Sequence, residues 1–276
     1  MLPPLRAELS SQPSSLARSQ RRARTVLGVV LACLAVLAGV GPWPSEVAAL
    51  GPGEGIDVRR VRVGGFDEDP RPKAAQRIAW EVRKRTSIET ALEPSVTRFD
   101  DPSVFRTPFL YWASDRAFEP MSEKEITGLR RFVEYGGFIL IDNASPESSG
   151  FDASVRRDLA RAFPGERLTR LNPQHTIFRS FYLIDRPVGR VAEPDYLEVI
   201  THAGRAAVVY SRHDLGGAWA RDENGDAAYA ITPGGLAQRE QAIRLGVNLV
   251  MYALCLDYKD DQVHAPFILR RRGGRP

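Results

Sequence analysis

Five polar residues stand just beyond short apolar runs, where an α/β protein keeps its chemistry. Asp115 follows Phe109-Leu110-Tyr111-Trp112-Ala113-Ser114, Asp142 and Asn143 follow Phe138-Ile139-Leu140-Ile141, and His213 with Asp214 follow the run ending at Tyr210. A carboxylate and an imidazole held in one crevice with separated pKa values can act as general base and general acid, so Asp142 or Asp115 paired with His175 or His213 defines a hydrolase-type candidate. His175 joins the set because the apolar pair Ile177-Phe178 beside it would anchor it above the same rim. Plainer chemistry fits the same residues. Asp and Asn after strands form turns and cap helices, and a lone histidine is commonly bonded to backbone.

Motifs with a defined mechanism are missing. No Walker A pattern or G-x-G-x-x-G follows an apolar run, and there is no G-x-S-x-G elbow. His175, His202, His213 and His264 are scattered, with no H-E-x-x-H and no paired cysteines, so no metal site and no cofactor is expected. Asp222 to Asp226 read as a turn without calcium-loop spacing. Cys255, in an apolar helical stretch, reads as a small buried hydrophobe.

These residues need elements to position them. Val58, Val61 and Val63 suggest a first strand ending at Gly64-Gly65, with Asp67 as a further strand-end polar group. Ala75, Ile78, Ala79 and Val82 then give the face of an amphipathic helix after Pro72. Val96 to Phe99 is a short strand, and Phe109 to Ala113 has the character of a buried one. Ser122 with Glu125 forms a capping box before the stripe Ile126, Leu129, Val133, which stops at Gly136-Gly137. Phe138 to Ile141 is apolar on both faces, as a central parallel strand should be, and Val155, Leu159 and Ala162 mark another helix. Residues 170–195 read as an irregular excursion with a strand near Phe181-Tyr182-Leu183; Tyr196 to Ile200 and Ala206 to Tyr210 read as a hairpin. The last helix, Leu236 to Leu256, carries Ile243, Val247, Val250 and Leu254 on one face. Strands alternating with helices predict a three-layer α/β domain around a mostly parallel sheet, with an antiparallel addition near the C-terminus. In such sheets ligands bind outside the carboxyl ends of the strands, which brings the candidates to one rim.

The stretches Pro108-Phe109-Leu110-Tyr111, Leu129 to Asp142, His175-Thr176-Ile177-Phe178 and Arg244 to Tyr252 together resemble an uncharacterised bacterial family of unknown function, similar in its flavodoxin-like fold to class I glutamine amidotransferases. The resemblance spans about residues 57 to 256. Amidotransferases use an activated Cys on a strand-to-helix elbow. Here the strand after the Gly-Gly turn ends in Asp142-Asn143-Ala144, so the resemblance implies the fold without that chemistry. Relatives often occur as exported or membrane-tethered proteins near von Willebrand-type and MoxR-type ATPase systems, which implies envelope complexes.

Composition fits a globular domain with an unusual leader. The 276 residues are 43% hydrophobic and 26% charged. The formal charge of +4 divides into +3 for residues 1–49, +4 for the last seven and −3 for everything between, so nucleic acid is not an expected partner. Arg18, Arg21, Arg22 and Arg24 precede an apolar run from Thr25 to Val40, and Val47-Ala48-Ala49 offers a cleavage site. The expected organisation is a signal peptide over residues 1–49, a linker over 50–56, the domain over 57–258 and a basic tail over 259–276. The protein is therefore expected in the periplasm or secreted; an uncleaved leader would instead anchor it to the inner membrane. The expected function is a non-catalytic module that binds a partner protein or small ligand at its rim, with the Asp/His hydrolase as the alternative.

Overall fold

A computed structural model describes residues 55–65 and 69–272 of the chain, with side chains as far as Cys255. The expected signal peptide, Asp67 and His264 lie outside that description.

Seven strands form one sheet in the order β2-β1-β3-β4-β7-β6-β5. They are β1 Arg59–Val61, β2 Val96–Thr97, β3 Phe109–Ser114, β4 Phe138–Asn143, β5 Thr169–Arg170, β6 Glu198–His202 and β7 Arg205–Ser211. The five strands from β2 to β7 run parallel, and β6 and β5 add on antiparallel. The parallel part thus has the 2-1-3-4-5 order of a flavodoxin-like sheet, with β7 as its fifth strand and its switch point between β1 and β3.

Five helices cover the sheet: α1 Ala74–Arg85, α2 Glu123–Glu134, α3 Ser149–Ala162, α4 Leu215–Trp219 and α5 Gly235–Arg272. Strand alternation sorts the core into two layers. Phe109, Tyr111, Phe138, Leu140 and Val209 pack under α1, α4 and α5; Leu110, Trp112, Ile139, Ile141, Val208 and Tyr210 pack under α2 and α3. The central strands are buried on both faces, which explains their unbroken apolar runs.

Local signals explain several boundaries. The Ser122 hydroxyl accepts from the Glu125 amide and the Glu125 carboxylate from the Ser122 amide, which fixes the start of α2. Ala203 and Gly204 both take positive φ, which closes the β6–β7 hairpin tightly.

Four local expectations are corrected. Phe181-Tyr182-Leu183 is not a strand: Asn248 of α5 accepts from the Tyr182 amide at 2.7 Å and donates to the Tyr182 and Ile177 carbonyls at 2.8 Å, so a side chain takes the place of a sheet neighbour. The short strand β5 was not expected: it stands at the start of the stretch read as an irregular excursion from residue 170. The last helix runs past Leu256 to Arg272, through most of the segment expected as a tail; no Gly or Pro stands between Leu256 and Pro266 to stop it. Cys255 is exposed; it follows Tyr252 and Ala253, the last buried residues of α5 among those whose side chains are described.

Candidate functional site

Helix α4 lies at the carboxyl edge of β4 and β7, and all five of its residues are buried. A buried helix start must satisfy its first amides, and here two carboxylates do so. Asp142, at the end of β4, accepts from the Leu215 amide at 2.9 Å and the Gly216 amide at 2.7 Å. Asp214, the residue before the helix, accepts from the Gly217 amide at 2.9 Å, and its carbonyl takes the Ala218 amide at 3.2 Å. The Tyr111 hydroxyl donates to Asp142 at 3.1 Å. Asp142 is therefore a cap delivered by a strand distant in sequence, at the terminus where the helix dipole favours negative charge.

The Gly216-Gly217 pair makes this approach feasible. A Cβ at Gly216 would lie 2.3 Å from the Tyr111 hydroxyl, and one at Gly217 would lie 2.5 Å from the Asp214 carboxylate. Asp214 itself takes φ 51 and ψ 60, a sharp left-handed elbow between strand and helix.

Charge is balanced inside the same cluster. Arg71, from the β1–α1 loop, grips Asp214 with both prongs, Nε at 2.7 Å and Nη2 at 2.6 Å, donates also to the Ala144 carbonyl, and covers the Tyr229 ring at 4.4 Å. Arg190 donates from Nε to the same Asp214 carboxylate. Two guanidinium groups thus offset the buried Asp214 carboxylate, while the donors to Asp142 are neutral. Burial, and then the Asp214 charge, push the Asp142 carboxyl up to about 6 despite its three donors.

His213 sits beside this cluster but belongs to the scaffold. Its ring is fully buried, Nε2 donates to the Pro194 carbonyl and Nδ1 accepts from the Ser211 hydroxyl at 3.3 Å, an assignment that follows from the carbonyl being able only to accept. Burial lowers its pKa to about 4, so the ring is neutral at physiological pH.

The remaining candidates separate. Ala113 lies opposite Asp142 and Ser114 opposite Asn143, which puts Asp115 and Asp142 on one edge of the sheet. Yet Asp115 is turned to solvent, paired with Arg116 at 2.8 Å, and its pKa is lowered chiefly by that partner. Asn143, next to Asp142 in a strand, necessarily points to the other face. There its Oδ1 accepts from the Ser145 amide at 2.9 Å and its Nδ2 faces the Tyr210 hydroxyl at 3.4 Å.

His175 is not at the rim. It accepts from the Ile177 amide at 3.2 Å and packs edge-on to Tyr252 at 5.3 Å. Tyr252 in turn touches Phe138, the first residue of β4, and takes the Ala206 amide at the start of β7. This is the amino edge of the sheet; four residues of strand, about 13 Å, separate Phe138 from Asp142. The Ile177-Phe178 pair does anchor His175, but at that edge. Trp219 covers the core, with Nε1 donating to the Ala242 carbonyl at 2.9 Å.

A model of a domain of unknown function, DUF4159, matches residues 57–254. The chain belongs to this family. No curated protein matches it. The rim of this DUF4159 domain is held together by residues outside the candidate set: Arg71, Arg190, Tyr111 and the Gly216-Gly217 pair. The Gly-Gly pair two residues after Asp214, close behind a strand, was the available signal. Nothing local marks Arg71 or Arg190, whose partner is distant in sequence.

Proposed function

We propose that this DUF4159 domain is an exported, non-catalytic module that binds a partner protein of the cell envelope through the carboxyl rim of its sheet. The observation that carries the reading is that both buried rim carboxylates are used up inside the fold: Asp142 by two amides and a hydroxyl, Asp214 by an amide and two arginines. A general base must reach a substrate proton directly or through one water, and Asp142 and His213 are both 0% exposed. Asp115 does reach solvent, but His213 is buried and His175 stands at the amino edge, so the Asp/His hydrolase alternative finds no exposed pair on this rim.

Charged groups at this edge reach solvent: the side chains of Asp115 and Arg116, paired with each other, are 35% and 51% exposed, and Glu147, past the end of β4, is exposed as well. Opposed charges in a small area favour an oriented, complementary protein surface and give specificity more than bulk affinity. The family resemblance supports an amidotransferase-like scaffold whose nucleophile elbow has become a structural one, with Asp142-Asn143-Ala144 and the Asp214 turn holding a helix in place. The arginine-led apolar leader supports export.

The test is affinity capture from native envelopes with full-length protein and an Asp115→Lys/Glu147→Lys variant. The variant should fold normally and lose the partner recovered by the unaltered chain. Equal recovery by both would refute the rim as the docking surface.

A further inference from the structure

Beyond α4 the chain forms a small hairpin closed by the bridge between Arg221 and Ala227, and three arginines from separate elements gather around it. Arg239, near the start of α5, donates to the Ala218 carbonyl at 2.6 Å and to the Tyr229 carbonyl at 2.5 Å, so its guanidinium spans the two ends of the hairpin. The Lys73–Glu223 pair at 2.8 Å lays the hairpin over the start of α1, where Arg77 follows one turn later, stacked on Trp80 at 4.4 Å. Arg221 itself stands on the hairpin between them.

The acceptors do not suffice for these donors. The Nε atoms of Arg77, Arg221 and Arg239 are all shut off from solvent without a hydrogen-bond partner, and Arg239 is only 6% exposed. The side chain of Arg221 makes no hydrogen bond or ion pair among the described residues. The nearest buried acid, Glu81, is already taken by Arg77 and by Arg85 at 2.6 Å. Asp226 attracts Arg221 only from the exposed turn. Burial lowers the pKa of Arg221 first and Arg77 lowers it further, against a smaller pull from Glu81 and Asp226; Arg239 is lowered by burial and then by Arg221, as expected where cations outnumber the acids near them.

We propose that Arg221, with Arg77 and Arg239, forms a binding site for a tetrahedral oxyanion, a phosphate or sulfate group. Such an anion presents several acceptors in different directions and two negative charges, which matches guanidinium forks brought in from α1, the hairpin and α5 better than a planar monoanion does. Arg221 is the member that adjusts: no hydrogen bond or ion pair among the described residues fixes its guanidinium, so its fork can turn onto an arriving anion. The site does not rest on the rim reading.

The experiment is titration of the full-length chain with inorganic phosphate, sulfate, methyl phosphate and acetate at constant ionic strength, followed by calorimetry. Phosphate should bind saturably within about 10 mM, and Arg221→Gln should weaken it at least about tenfold. Because Arg221 has no partner to lose, that variant should keep the circular dichroism spectrum and a melting temperature at or above that of the unaltered protein. Arg77→Lys, which retains charge without the fork, should weaken binding less. Binding of methyl phosphate as well as phosphate would identify an esterified group as the ligand, and binding of phosphate alone a free anion. Absence of saturation, equal binding by Arg221→Gln, or equal binding of acetate would overturn the proposal.

Discussion

Asp142 and His213 are buried neighbours of the same turn, and their proton affinities are displaced in opposite senses, so the stability of the domain should hide two opposing pH dependences. The folded protein holds the Asp142 proton more tightly than the unfolded chain does, with a pKa of about 6 against an ordinary aspartate value of 3.8, so Asp142 adds stability as pH falls from about 6 towards 4. His213 is the reverse case. The unfolded chain takes up its proton near 6.5 while the folded protein resists until about 4, so the same acidification removes stability. Between about pH 7.5 and pH 4.5 the first effect amounts to a gain of roughly 2 kcal/mol and the second to a loss of roughly 2 to 3 kcal/mol, leaving little net change from the pair. Asp142→Asn should expose the histidine effect, and His213→Gln, which can still donate to the Pro194 carbonyl, should expose the aspartate effect. Urea unfolding across this range at fixed ionic strength measures both. Subtracting each variant's curve from that of the unaltered protein cancels titrations common to both, including that of His175, whose pKa burial also lowers. Parallel curves for Asp142→Asn and the unaltered protein would refute the assignment of a raised pKa to this cap.

Three further outcomes follow from the same geometry. Gly216→Ala drives a methyl into the Tyr111 hydroxyl and should cost roughly 1–3 kcal/mol, while adding Tyr111→Phe should recover part of it by removing the clashing oxygen; chemical denaturation of the single and double variants decides this. Arg71→Met removes the two-pronged partner of a fully buried carboxylate and should cost about 3–5 kcal/mol, most of it returned when Asp214 is replaced by Asn in the same chain. Asn248→Leu leaves the Tyr182 amide and the Ile177 and Tyr182 carbonyls without a partner, so hydrogen exchange across residues 176–183 should accelerate before any other region responds.

The layers of the domain were legible because they are written in local patterns. Phe138 to Ile141 announced a doubly buried strand, Ser122 and Glu125 announced the start of a helix, and the hairpin between β6 and β7 followed from its turn. The edge shared by Asp115 and Asp142 followed from topology alone. What failed was direction. Asp142 and Asn143 are neighbours in sequence yet face opposite sides of the sheet, and His175 stands at the opposite edge because its anchor is Tyr252 of the last helix. Side-chain contacts between residues far apart in the chain, such as Arg71 with Asp214, leave no periodicity to read.

The self-capped helix also bears on where a ligand can bind. In parallel α/β sheets a helix start at the carboxyl edge is a ready anion site, since its free amides and dipole point at the crevice. In this domain Asp142 occupies that position permanently. An incoming anion would have to displace a carboxylate held within 2.9 Å of two amides, and a rigidly placed intramolecular group competes at an effective concentration far above that of a dissolved ligand. Eviction would also leave Asp142 buried without its donors, a further cost on the order of several kcal/mol. Under the proposed rim reading, binding is then directed outward, to the exposed charges at the mouth, while the buried carboxylates beneath them cap α4.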